Sequence, residues 1–126
     1  MSDLYFTKRH ECVWVEEEEY AYVGLTPYLT KKLGEVSYMD LPDEGDKFSR
    51  GDEMAALESD SASVEVRCPI GGEVVELNEK AASHPKMLKK TPDKGGWFIK
   101  LRILNLSEVH DLMDESAYLA YAERLN

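Results

Sequence analysis

The sequence predicts a mainly β fold, a flattened β-barrel of two half-sheets with one short internal helix and C-terminal helices. Three observations carry this. Apolar and polar residues alternate with period two through most of the first hundred residues, turn signals recur at close intervals, and the spacing turns helical only near the C-terminus. Many short strands punctuated by Gly and Pro turns belong to sandwiches and barrels.

In chain order, Val13 and Val15 mark one strand and Tyr20 and Tyr22 the next, with the acidic run Glu16-Glu17-Glu18-Glu19 as the solvated hairpin tip between them. Thr26 then serves as a helix cap, Pro27 suits the first helical position, and Gly34 suits the residue past the end. Leu29 and Leu33 fall on one face of that helix. Lys32 is a cation at its end, balancing the helix dipole. Val36 with Tyr38 resumes the β pattern. Turns follow at Leu41-Pro42-Asp43-Glu44-Gly45-Asp46 and Arg50-Gly51-Asp52, where two Gly-Asp pairs six residues apart form a quasi-repeat.

The stretch from Leu57 to Val64 is a hairpin tip in small and polar residues, with Asp60 and Ser61 exposed in the turn. Val64 and Val66 continue the alternation. Pro69-Ile70-Gly71-Gly72 turns into a strand holding Val74 and Leu77. His84-Pro85 reads as a turn entry, because the residue before Pro avoids the helical region. Gly71-Gly72 and Gly95-Gly96 read as hairpin glycines, and Phe98 with Lys100 opposes Ile99 and Leu101 in a last strand. Asn105 or Ser107 then caps a helical stretch with Val109, Leu112 and Met113 on one face, continuing through Tyr118, Leu119 and Tyr121. Residues 1–126 form one domain, with the barrel over about 5–104 and the helical segment over about 105–126.

Composition narrows the function. The 126 residues carry 15 basic and 25 acidic side chains, a net charge of -10, which disfavours nucleic acid and anionic lipid and favours basic partner surfaces. No apolar run reaches bilayer length, and Met1-Ser2-Asp3-Leu4 lacks the pattern of an export signal, so a soluble, cytoplasmic, monomeric protein is expected. Cys12 and Cys68 have no metal-ligand spacing and are expected as reduced, packed thiols.

Several motifs resemble one family. Lys8-Arg9-His10-Glu11 is similar to the Lys-x-His-Glu opening of the glycine cleavage system H proteins. Val23-Gly24-Leu25-Thr26, Leu33-Gly34-Glu35-Val36, Leu41-Pro42-Asp43-Glu44-Gly45 and Ala56-Leu57-Glu58-Ser59 continue in that family's order. So do Pro69 through Glu79, Gly96-Trp97-Phe98-Ile99-Lys100, Leu112-Met113-Asp114 and Ala117-Tyr118. The resemblance covers nearly the whole chain. It implies a lipoyl-type barrel-sandwich hybrid and a carrier in place of an enzyme, one that shuttles the aminomethyl group of glycine decarboxylation on lipoate. The partners implied are glycine dehydrogenase, aminomethyltransferase, dihydrolipoamide dehydrogenase and lipoate ligase.

The chain departs from the pattern at the attachment site. The family writes Glu-Ser-Val-Lys-Ala where this chain has Glu58-Ser59-Asp60-Ser61-Ala62, so Ser61 stands at the lysine position. No lysine lies between Lys47 and Lys80, and a hydroxyl cannot form the lipoyl amide. No cofactor is therefore expected on this chain. The resemblance also implies acidic contacts for the arm or a partner at Glu11 and Glu65, which read otherwise as ordinary exposed strand carboxylates, and a polar arm contact at Lys32, which reads equally as the helix-end cation.

The expectation is a non-lipoylated binding or regulatory homologue. The alternatives are a genuine carrier whose lysine has been substituted or replaced by another residue, or a barrel module outside glycine metabolism. An enzyme is disfavoured: Ser61 with His10, His84 or His110 lacks a nucleophile-elbow context, and no His-x-x-x-His or Cys-x-x-Cys spacing offers a metal site.

Overall fold

The computed structural model describes residues 4–124; the start of the chain read above, Met1–Asp3, and its last two residues lie outside them. The strands are β1 (Leu4–Phe6), β2 (Glu11–Glu16), β3 (Tyr20–Leu25), β4 (Val36–Asp40), β5 (Lys47–Phe48), β6 (Glu53–Ser59), β7 (Ser63–Arg67), β8 (Gly72–Leu77) and β9 (Trp97–Ile103). They build a six-stranded sheet in the order β1-β2-β3-β9-β8-β5 and a three-stranded sheet in the order β4-β6-β7. Every pairing among these strands is antiparallel. The two sheets face one another without closing into a single barrel, and Leu25, Leu57, Val66, Ile70, Ile99 and Leu101 fill the space between them.

Local chemistry explains the first helix, α1 (Pro27–Leu33). The Thr26 hydroxyl accepts from the Leu29 amide, Pro27 occupies the first turn, and Leu29 and Leu33 are buried. Gly34 closes it with φ of 78°. The acidic run is a tight hairpin whose exposed central residues, Glu17 and Glu18, both adopt left-handed backbone, with φ of 54° and 56°. Positive φ at both central residues of a turn closed by the Glu19 amide on the Glu16 carbonyl gives a twist matched to the strands, which pair from Glu16 opposite Tyr20.

Three sequence expectations change. Gly71 and Gly72 enter β8 at a close crossing, where a Cβ on Gly72 would stand 2.8 Å from the Arg102 carbonyl oxygen. Likewise, a Cβ on Gly96 would collide with the Lys90 carbonyl, so these glycines mark backbone contact and not hairpin tips. Second, residues 79–94 hold a short helix, α2 (Glu79–Ser83), and 3-10 turns at Pro85–Lys89 and Pro92–Lys94. The helix and the first turn contact β9 and the second turn contacts β2 and β3, and with this cover Phe98 is as fully buried as Ile99. Third, the C-terminal segment is broken. A 3-10 stretch at Leu106–Asp111, capped by Asn105, stops at Leu112, and Met113 forms a β-bridge with Phe6 before α3 (Glu115–Glu123) begins behind its cap Asp114. Leu112 and Met113 are thus extended, because Met113 exchanges backbone hydrogen bonds of 2.8 and 2.9 Å with Phe6.

Candidate functional site

The β6–β7 hairpin carries the position that the sequence singles out. Glu58 pairs with Ser63, Ser59 and Ala62 face each other, and Asp60 and Ser61 are the two turn residues between them. The Ser59 amide donates to the Ala62 carbonyl at 2.8 Å, and the Ser59 hydroxyl accepts from the Ala62 amide at 3.1 Å and from the Ser61 amide at 3.4 Å. Ser59 therefore braces the tip from within. Asp60, Ser61, Ala62 and Glu58 are exposed, as the sequence predicts for the turn. Neither Asp60 nor Ser61 has positive φ, so the turn accepts any L-residue at its crest.

The strand β4 lies along β6, with Tyr38 opposite Glu58 and Asp40 opposite Ala56; in turn Ala56 is opposite Glu65 on β7. The outward side of this small sheet thus combines Tyr38, 58% exposed, with the carboxylates Asp40, Glu58 and Glu65. Arg67 is the cation among them, and its guanidinium stands 3.5 Å from Glu65.

Glu11 and Glu65 occupy different environments. Glu65 is exposed strand surface. Glu11 is 2% exposed, which corrects the reading of it as an exposed carboxylate. It accepts from the Thr7 hydroxyl at 2.7 Å and the Arg67 amide at 3.4 Å, with the Arg9 guanidinium at 3.9 Å. Desolvation dominates and pushes its carboxyl above the ordinary range, against the pull of those donors. Glu11 lines a cleft of about 270 Å³ with Phe6, Arg9, Arg50 and Met113, while Glu65 and Ser61 lie outside that lining. Arg67 contacts both carboxylates, Glu11 through its amide and Glu65 through its guanidinium.

Among the described residues no histidine hydrogen-bonds to Ser61, and His10 is engaged elsewhere. The His10 ring stacks on Tyr28 with centroids 4.2 Å apart, and its Nδ1 lies 2.7 Å from the Tyr118 hydroxyl. That hydroxyl also hydrogen-bonds Thr26 Oγ1 at 3.0 Å. His10 itself has φ of 72°, held there by the network. Burial first, and the Lys32 charge second, lower its basicity. Lys32 also stands over the Tyr28 ring at 5.3 Å. This junction of α1, β2 and α3 was invisible to local sequence patterns because its partners are 92 and 108 residues apart. The clue lay in the same tetrapeptide, Lys8–Glu11, that carries the family resemblance.

Cys12 and Cys68 are free and buried, and desolvation pushes both thiols up to about 12. The Cys68 thiol donates to the Ile70 carbonyl at 2.9 Å, the mark of a packed residue. Among the described residues no group of three His, Cys, Asp or Glu could hold a metal ion. None of the described helices is long and apolar enough to cross a membrane.

Two facing antiparallel sheets and an exposed braced hairpin on the smaller sheet define the class, a barrel-sandwich fold. Comparison with known proteins gives the family. The glycine cleavage H-protein family matches residues 4–125, and the chain belongs to that family. It is 41% identical over 125 residues to the glycine cleavage system H protein of Parvibaculum lavamentivorans, with 99% of each chain covered. It is 39% identical to that of Rhodospirillum rubrum over the full length of both. The fold also matches the crystal structure of a glycine cleavage system H protein from Mycobacterium marinum, with a TM-score of 0.85, 23% identity and 98% of each chain covered.

Proposed function

We propose that this chain is a non-lipoylated member of the family, a binding or regulatory homologue that keeps the carrier's shape without its arm. The carrying observation is Ser61: exposed at the crest of the hairpin, it offers a hydroxyl where the resemblance places the lipoyl lysine. An amide needs an amine, and the sequence between Lys47 and Lys80 holds none. The site therefore does not fit lipoate, and no group-transfer step is assigned to this chain.

What remains is recognition. Tyr38, Asp40, Glu58, Asp60 and Glu65 present an aromatic and a set of carboxylates around the tip, suited to the basic entrance of a partner. The partners that the family suggests are glycine dehydrogenase, aminomethyltransferase, dihydrolipoamide dehydrogenase and lipoate ligase. Glu11, sequestered beneath the start of the chain, acts in this reading as a structural carboxylate that orders Thr7 and Arg67, and Glu65 as a surface contact. The cytoplasm is the proposed compartment, and one domain over 1–126 the proposed unit.

The test is acceptance of lipoate. Incubated with lipoate ligase, ATP and lipoate, the wild type shows no lipoyl mass increment, whereas Asp60→Val/Ser61→Lys gains one. A wild-type chain that becomes lipoylated on any lysine overturns the armless reading and restores the carrier. Failure of both proteins, with the variant shown folded by its thermal melt, moves the assignment to a module outside glycine metabolism.

A further inference from the structure

Apart from the hairpin, the charge of this acidic protein is unevenly placed. Between residues 80 and 94 the chain carries Lys80, Lys86, Lys89, Lys90 and Lys94 against one acidic residue, Asp93. The fold sets part of this run against α1, whose last turn adds Lys31 and Lys32. Between α1 and the 3-10 turn Pro85–Lys89 lies a groove of about 480 Å³, walled by Pro27, Thr30, Lys31, Gly34 and Lys89, with Glu35 as its single carboxylate. A narrower extension, reaching Val36, Leu88 and Lys86, shares Thr30, Gly34, Glu35 and Lys89 with it. Lys31, Lys86 and Lys89 are exposed, and none of them forms an ion pair among the described residues. The negative end of the α1 dipole accounts for Lys31 and Lys32. It does not account for Lys86 and Lys89, which belong to a different segment.

We propose that this groove docks an acidic peptide segment of a partner protein, its carboxylates met by the three lysines Lys31, Lys86 and Lys89, which outnumber the single carboxylate Glu35, and its stem resting against the exposed Pro27. A nucleic acid or an anionic bilayer would extend past the groove onto a molecule whose net charge is -10, and would be repelled there. A short acidic segment ends within the cationic patch. The inference is independent of what stands at residue 61.

Fluorescence anisotropy with fluorescein-labelled hexaglutamate tests it on the full chain at low ionic strength. The expected result is saturable binding that weakens with salt, with Kd raised about five-fold by Lys31→Gln/Lys89→Gln. Lys47→Gln/Arg124→Gln removes the same charge elsewhere on the surface and should change Kd by less than about two-fold. If the first variant melts early, Lys86→Gln/Lys90→Gln carries the comparison. Absence of saturable binding, or equal weakening by both charge pairs, overturns the proposal. So does tighter binding of an oligothymidylate or of phosphatidylserine vesicles in the same assay. Sedimentation that shows dimers dissolved both by Lys31→Gln/Lys89→Gln and by Glu17→Gln/Glu18→Gln assigns the groove to a second copy and overturns it as well.

Discussion

Single residues here are set by their surroundings more than by their type. Glu11 is the clearest case, since burial raises its folded value above the ordinary 4.5. A carboxyl shifted upward favours the folded state when protonated; that contribution is complete below the unfolded value and falls away as pH rises through the folded one. Glu11→Gln removes this titration, so its melting temperature should gain on that of the wild type as pH is raised from about 4 toward neutrality. A constant difference across that range would show that Glu11 does not titrate differently on folding. The two thiols give a second residue-scale expectation. With both pushed up to about 12, thiolate is scarce at neutral pH, so iodoacetamide should leave Cys12 and Cys68 unmodified in native buffer and label both in denaturant, read by intact mass.

At the scale of elements, Tyr118 is the buried anchor of α3. Tyr118 stacks on Phe6 with ring centroids 4.8 Å apart and links His10 to Thr26 through its hydroxyl. Tyr118→Phe should cost about 1 kcal/mol of unfolding free energy for the lost hydrogen bonds. Tyr118→Ala should cost about 3 kcal/mol, since it also empties an aromatic site; urea denaturation separates the two. The helix α1 was legible in the sequence because its instructions are adjacent: Thr26, Pro27 and Gly34 each act within a turn of where they stand. The tip at Asp60 and Ser61 was legible for the same reason. Residues 79–94 were not, because α2 and the two 3-10 turns are too short to show a period and are held by long-range contacts with β2, β3 and β9. Nor could local spacing reveal that Met113 leaves the helical path to pair with Phe6, a partner more than a hundred residues away.

For the whole molecule, charge is the dominant property beyond the core. A net charge of -10 on 126 residues repels itself, so raising ionic strength from about 0.01 to 0.15 M should raise the melting temperature, measured with a non-binding salt. The buried residues between the sheets belong to one hydrophobic cluster that includes Leu57 and Val66, so both strands of the hairpin are anchored in the core while their crest is not. The bracing of that crest by Ser59 has a consequence for descent. Because the turn is held by Ser59 and by ordinary backbone angles at Asp60 and Ser61, its display residue is free of any folding duty. Exchange of serine for lysine at residue 61, or the reverse, therefore leaves the bracing of the turn in place, so family members that differ there remain mutational neighbours.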